Sequence, residues 1–211
     1  MNPTDDDDAP LGNPADSLAL IERERANLER DLTPDPRLMY WPWGVAWLTG
    51  FGLLFLRFGP DGRVFVDLPA WLPLTVLLLL LVAAGITTGV AGGRASVQVN
   101  GPRSRQGKMY GFTWAIAFAG ASVLFSQFGD HLPDDLLGLL WAGGMVGLTG
   151  ALHMAGGAIW NDRDLFFLGA WTSVINVIGI FAGPGWHSLI VAVAGGGGML
   201  LAGLAWWLRL R

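Results

Sequence analysis

A run of 26 residues without a charged side chain, residues 68–93, constrains this sequence more than any other feature. A helix rises about 1.5 Å per residue, so the run would span roughly 39 Å, more than the ~30 Å hydrocarbon core of a bilayer. Only 14% of the 211 residues are charged and 52% are hydrophobic, whereas roughly a quarter of the residues in soluble domains are charged. The sequence therefore predicts an integral membrane protein.

Further uncharged intervals divide the chain into more spans. The last interval, 165–208, has 44 residues, which is about 66 Å as one helix and twice the membrane core. It must turn back, and Gly183-Pro184-Gly185 marks the hairpin because Gly and Pro break helices. The expected fold is an all-α bundle of six transmembrane helices over residues 38–208. The spans are predicted at about 38–57, 68–91, 109–128, 136–159, 165–182 and 186–208.

The N-terminal segment has a different composition. Residues 1–12 include four consecutive aspartates and are expected to form a disordered acidic tail. Residues 13–33 are expected to form a cytoplasmic amphipathic helix that Asn13 caps, with Pro14 in its first turn. This helix could bind a cytoplasmic protein, or it could lie on the lipid surface, where the stem of Arg25 can snorkel. Its apolar positions are Leu18, Ile21, Leu28 and Leu32.

Lysine and arginine are distributed unevenly between the two predicted sides of the membrane. Eleven of the 13 lie on the side of the two termini, and Arg57 and Arg63 lie on the other side. Cytoplasmic segments carry the excess of positive charge. Both termini are therefore predicted to be cytoplasmic, in a multi-pass protein of the plasma (inner) membrane.

Arg103 and Arg105 belong to a basic connection between the second and third spans. The order of its residues resembles a phosphate-binding loop, but five residues separate Gly101 from Gly107 where the motif requires four. Met109 also stands where the motif requires Ser or Thr, so a nucleotide site is not expected. The cations could set the topology by contacting anionic lipid, or they could dock a cytoplasmic partner.

Polar residues are scarce in the predicted membrane interior, and none of them is Asp, Glu, Lys or Arg. The strongest candidates are His153 and Asn176, whose depths differ by about 5 Å when counted from the span ends. They could face each other across a polar seam that includes Thr149 and Ser173. Such a seam would be either a functional path or a structural hydrogen bond worth about 0.6 kcal/mol.

Small residues recur at helix-packing distance on three of the predicted spans. We expect them to allow close contact within the bundle, with a dimer face or a substrate path as the alternatives. They are Gly85, Thr88, Gly89 and Gly92 in the second span, Gly143 and Gly147 in the fourth, and Gly195 to Gly198 in the sixth.

Catalytic, metal and cofactor sites are not expected. The chain has no cysteine, no His pair at metal-binding spacing and no Ser-His-Asp signature, so an enzyme is disfavoured. Asp134 and Asp135 start a helix, where the macrodipole favours carboxylates. Asp162 and Asp164 are likewise expected to cap the fifth span. His187, beside Trp186 at the start of the sixth span, is interpreted as an interfacial residue.

The run from Pro34 to Gly44, Pro-Asp-Pro-Arg-Leu-Met-Tyr-Trp-Pro-Trp-Gly, resembles the opening of a family of small actinobacterial six-span integral membrane proteins that are generically labelled transporters. The predicted layout is also similar to the membrane half of ABC-2 type exporters. That similarity implies a basic connection that docks an ATPase.

The sequence favours a transport-related, permease-like membrane subunit that acts with a cytoplasmic partner, such as an ATPase, and that forms a homo-oligomer. The alternative is a non-transporting membrane anchor or sensor that binds a cytoplasmic regulator through the helix at 13–33. Both hypotheses place the protein in the lipid bilayer, and neither involves direct contact with nucleic acid. The sequence names no substrate.

Overall fold

The structure, a computed structural model, describes residues 17–24, 35–97, 102–129 and 131–209. The chain separates into two compact units, Met1–Pro34 and Asp35–Arg211. In the first unit, residues 17–24 are helical and form α1, within the stretch where the sequence predicts the amphipathic helix. The predicted acidic tail and both predicted ends of that helix lie outside the described residues.

The described part of the second unit consists of helices and short connections. The helices are α2 (Pro36–Arg57), α3 (Leu72–Val97), α4 (Pro102–Gly129), α5 (Asp134–Trp160), α6 (Arg163–Ala182), α7 (Trp186–Ile190) and α8 (Gly197–Arg209). A 3-10 turn, Pro60–Gly62, follows α2, and a π-helical segment, Val191–Gly196, joins α7 to α8. The predicted all-α class is confirmed for these residues.

Five helical segments are long and apolar enough to cross a membrane, which is compatible with a multi-pass integral membrane protein. They are Leu72–Ala91, Arg105–Gly129, Asp134–Trp160, Arg163–Ala182 and Trp186–Leu208. The first predicted span, α2, is not among these five. Its tryptophans, its tyrosine and its internal Pro42 make it less apolar than the others.

α2 nevertheless lies at the centre of the bundle. It packs against α3, α7, the π-helical segment and α8. Its residues Ala46, Trp47 and Phe51 are at most 6% exposed. They form the hydrophobic core together with Leu77, Val146, Val191, Ala192 and Met199.

Two helices have ends that differ from the predicted ones. α3 begins at Leu72 rather than residue 68, because the chain before it folds back onto α2. There the N–H groups of Phe65 and Val66 donate to the Leu56 carbonyl at 2.9 and 3.0 Å. At the other end, α3 continues to Val97 and α4 already begins at Pro102, so most of the basic connection is helical. Lipid limits only the apolar part of a helix, so charged turns can extend it into water.

Carboxylates define the starts of two helices. The Leu165 N–H donates to Asp162 Oδ1 at 3.0 Å, which confirms the predicted cap of α6. At the start of α2, the Arg37 N–H donates to Asp35 Oδ1 at 2.9 Å, and the Arg37 guanidinium forms a 2.7 Å ion pair with the same carboxylate. The side-chain hydrogen bond from Arg37 lowers the pKa of Asp35 below its ordinary value. Asp35 therefore remains an ionised cap throughout the physiological pH range.

The predicted hairpin at Gly183-Pro184-Gly185 is confirmed, since α6 ends at Ala182 and α7 begins at Trp186. Gly183 and Gly185 have φ angles of +91° and +81°, which L side chains rarely adopt. Gly185 also packs directly on the backbone of Pro60, where a Cβ atom would clash. The turn thus requires glycine for conformation and for space.

Glycines bring α5 and α6 into backbone contact. A Cβ atom on Gly157 would lie 2.7 Å from the Phe166 Cα, and one on Gly150 would lie 3.0 Å from the Gly169 carbonyl oxygen. This is the close packing that drives helix association in lipid. Gly143 and Gly147 also contact α6, whereas Gly85 and Gly89 of α3 have open space around them.

Candidate functional site

A buried polar network connects α5, α6 and α7 near the hairpin. Asn176 Nδ2 donates to the Gly143 carbonyl oxygen at 2.9 Å, and Asn176 Oδ1 lies 2.9 Å from His187 Nε2. Asn176 is 5% exposed and His187 is 1% exposed. One amide side chain therefore connects three helices inside the bundle.

The chemistry of the partners fixes the direction of these hydrogen bonds. The Gly143 carbonyl oxygen can only accept, so the Asn176 NH₂ group must face it. Asn176 Oδ1 must then accept from His187, which places a proton on Nε2. In the neutral ring, His187 Nδ1 is an acceptor, and this buried atom has no hydrogen-bond partner among the described residues.

The interpretation of His187 as an interfacial residue was wrong. Its ring packs edge-on against Phe51, with 6.5 Å between the ring centroids, and it lies against Gly179, where a Cβ atom would be 2.8 Å from His187 Cδ2. The sequence did contain a signal. Gly179 lies three residues after Asn176, on the same helix face, and opens space for a ring from the neighbouring helix.

His153 faces a different helix from the one the sequence predicted. Its Nδ1 lies 2.8 Å from the Thr149 carbonyl oxygen of its own helix, and its ring packs edge-on against Trp114 of α4 at 5.1 Å. The hydroxyls of Thr149 and Ser173 also bond within their own helices, to the carbonyls of Met145 and Gly169. The structure therefore does not join His153 to Asn176.

The antiparallel register of α5 and α6 explains the difference. Gly147 lies opposite Asn176, and Gly169 lies opposite His153. His153 lies six positions after Gly147, which corresponds to about 9 Å along α5. Counting depth from the predicted span ends gave a separation of only about 5 Å, because the end of α5 and the start of α6 are not at the same level.

The π-helical segment interrupts the apolar run Trp186–Leu208 five residues after its start. The Gly197 N–H bonds to the Ala192 carbonyl, five residues back. The Trp171 Nε1–H donates to the Ala194 carbonyl at 2.9 Å, which fixes the indole against this segment. Single π-helical turns inside α-helices occur frequently at functional sites.

A cavity of about 360 Å³ lies between α2, α6 and α8, and its lining includes Gly198, two residues after the π-helical segment. Its walls are mainly aromatic and small side chains. Trp171 lines one end and the carboxylate Asp164 the other, seven residues or about 10 Å apart along α6. Asp162 and Asp164 were both predicted to cap α6, but the carboxylate that accepts the cap hydrogen bond is that of Asp162. The lining also includes Tyr40, Phe167, Ala202 and Trp206.

The predicted partner contacts are described only in part. Leu18 and Ile21 of α1 are 60% and 48% exposed. Arg105 is also exposed. Leu28, Leu32 and the side chain of Arg103 lie outside the described residues. In the described part of the chain, no cluster of three or more His, Cys, Asp or Glu residues could hold a metal ion.

The chain matches no family model, no curated protein and no solved structure.

Proposed function

We propose that the chain is a six-span, permease-like membrane subunit of the plasma (inner) membrane with both termini in the cytoplasm. α2 serves as the sixth span. It has 22 residues, about 33 Å of helix, and it contributes Ala46, Trp47 and Phe51 to the hydrophobic core of the bundle. The bias of eleven of the 13 cations toward one side supports the orientation.

The break in the last span carries the proposal of transport. Transporter sites lie near the bilayer midplane, where discontinuous helices expose backbone groups to a ligand. Here the π-helical segment Val191–Gly196 interrupts the last span five residues after its start, and the lining of the cavity includes Gly198, two residues beyond the segment. A helix that only anchored a protein in lipid would gain nothing from such an interruption.

The number of spans can be tested by labelling single cysteines, because the natural chain has none. In intact cells, Val64→Cys and Leu132→Cys should react with a membrane-impermeant maleimide. Glu22→Cys should react only after permeabilisation. If α2 did not cross the membrane, Glu22→Cys and Val64→Cys would react on the same side, and the six-span proposal would fail.

An energy source would come from a cytoplasmic ATPase that docks on the basic connection. Copurification in mild detergent should recover ATP hydrolysis with the wild type. The double variant Arg103→Ala/Arg105→Ala should lose it. The matched control Arg163→Ala/Arg211→Ala removes as much charge from the same side and should retain it. If hydrolysis never copurifies, or if the first double variant behaves like the control, this proposal is refuted.

The exposed apolar residues of α1 favour a second candidate, an anchor or sensor for a cytoplasmic regulator. Leu18 and Ile21, three residues apart on one helix face, are 60% and 48% exposed, and such a face on a helix is suited to a partner. Deleting residues 1–34 in the same copurification separates the candidates. If the deletion variant loses every bound protein while the Arg103→Ala/Arg105→Ala variant retains its bound protein, the result supports the anchor or sensor and contradicts docking of an ATPase on the basic connection.

A further inference from the structure

We propose that the cavity between α2, α6 and α8 binds an organic ammonium or phosphonium cation with an apolar body. The cavity volume, about 360 Å³, lies in the range of roughly 300–1,000 Å³ that is usual for small-molecule sites. Such a cation would be the ligand of the proposed permease, so the physiological role of the site rests on the proposed function.

The walls of the cavity suit a cation. Tyr40 and Trp206 form one wall, with ring centroids 5.9 Å apart and planes tilted by 46°. Phe167 and Trp171 lie on α6 across from them. The faces of aromatic rings carry negative electrostatic potential and attract cations, and aromatic cages recognise quaternary ammonium groups in this way.

The charge at the mouth of the cavity points in the same direction. Asp164 lines the cavity, and no described lining residue is basic. A second cavity, of about 530 Å³ between α2 and α3, contains both Asp35 and Arg37. These two charges form an ion pair, so that cavity has no comparable preference for a cation.

The arrangement along α6 indicates the shape of the ligand. Asp164 is exposed, at the predicted cytoplasmic surface. The aromatic rings continue about 10 Å inward to Trp171, whose indole is held in place by the Ala194 carbonyl. A ligand with a charged head and an apolar body would place the charge near Asp164 and bury the body beside the π-helical segment. A lipophilic amine or an ethanolamine headgroup has this chemistry.

Binding can be measured with tetraphenylphosphonium on the purified full-length chain in a neutral maltoside detergent. Tetraphenylborate has the same shape and the opposite charge, and it should not compete. Asp164→Asn, which removes the charge, and Ala202→Phe, which fills the cavity, should each weaken binding at least tenfold. The control Asp135→Asn, also in the first turn of a helix, should bind like the wild type.

Added phosphatidylethanolamine distinguishes the two sources of the cation. If phosphatidylethanolamine competes with tetraphenylphosphonium, the natural ligand is a lipid headgroup. If it does not compete, the natural ligand is a free lipophilic cation. Equal binding of the borate, or dissociation constants within twofold of the wild type for both cavity variants, would overturn the inference. Binding is measured here without measuring transport. If the cation binds but is never transported, the permease function is refuted and the binding site is still supported.

Discussion

Replacing Gly196 by alanine is expected to lower the free energy of unfolding by roughly 2 kcal/mol, the usual result of overpacking a tight contact. A Cβ atom at this position would lie 2.5 Å from the Leu48 N, 2.8 Å from the Gly44 carbonyl oxygen and 2.9 Å from the Leu48 Cα. All three are backbone atoms of α2, so no side-chain rotamer can relieve the clash. The π-helical segment would have to move away from the central helix.

Gly197 provides a matched control in the same run of glycines. A Cβ atom there meets nothing within 4 Å. Gly197→Ala should therefore leave stability unchanged or raise it by up to about 1 kcal/mol, because alanine favours the helix more than glycine does. Both variants can be unfolded reversibly in mixed micelles with increasing SDS and followed by tryptophan fluorescence. Equal stability of the two variants would contradict the packing of the π-helical segment on α2.

The run of glycines shows which helix contacts could be predicted from the sequence and which could not. Small residues at helix-packing spacing correctly predicted close contacts within the bundle for α5. They did not separate Gly196, which touches backbone, from Gly197, which touches nothing. That distinction depends on the rotation of the helix, and a π-helical turn changes the rotation by a fraction of a turn. No pattern based on a regular helical period contains this information.

Features that depend on local chemistry were predictable. The hairpin around Gly183 and Gly185 follows from backbone freedom, and the cap by Asp162 follows from the unsatisfied N–H groups at a helix start. Both are set by residues within a few positions of one another. The length of the apolar runs likewise predicts which segments can span lipid, although α2 shows that a central helix can be less apolar than its neighbours.

The polar site could be predicted only in part, because it depends on register. Asn176 was recognised as a buried polar residue from its position in an uncharged run. Its partner could not be deduced, since sliding one antiparallel helix along the other by about 4 Å, the difference between the predicted ~5 Å and the ~9 Å of the structure, leaves both sequences unchanged. The hydrogen bonds to Gly143 and His187 come from this offset and from the hairpin that returns α7 along α6.

Replacing Asn176 by leucine is expected to cost roughly 2–3 kcal/mol of folding free energy. Leucine has a similar size but removes both hydrogen bonds of the network. It leaves the His187 Nε2–H unsatisfied, which costs about 1–3 kcal/mol, and it removes the second hydrogen bond of the Gly143 carbonyl, whose helical bond remains. The estimate stays moderate because the denatured state in a membrane environment also finds polar partners.

Ser173→Ala is the matched control, one turn earlier on α6. Its hydroxyl bonds only to the Gly169 carbonyl of its own helix, so its loss should change stability by no more than about 0.5 kcal/mol. Unfolding in SDS measures both variants. If Asn176→Leu is as stable as Ser173→Ala, the network does not hold the three helices together.

Double-mutant cycles then separate the observed network from the seam that the sequence predicted. The pair Asn176→Ala and His187→Ala should show a coupling energy of about 1 kcal/mol, within the range measured for hydrogen bonds between membrane helices. The pair Asn176→Ala and His153→Ala should be additive to within about 0.5 kcal/mol, because the two side chains share no partner. The reverse pattern would restore the seam between His153 and Asn176 and would require a different register of α5 against α6.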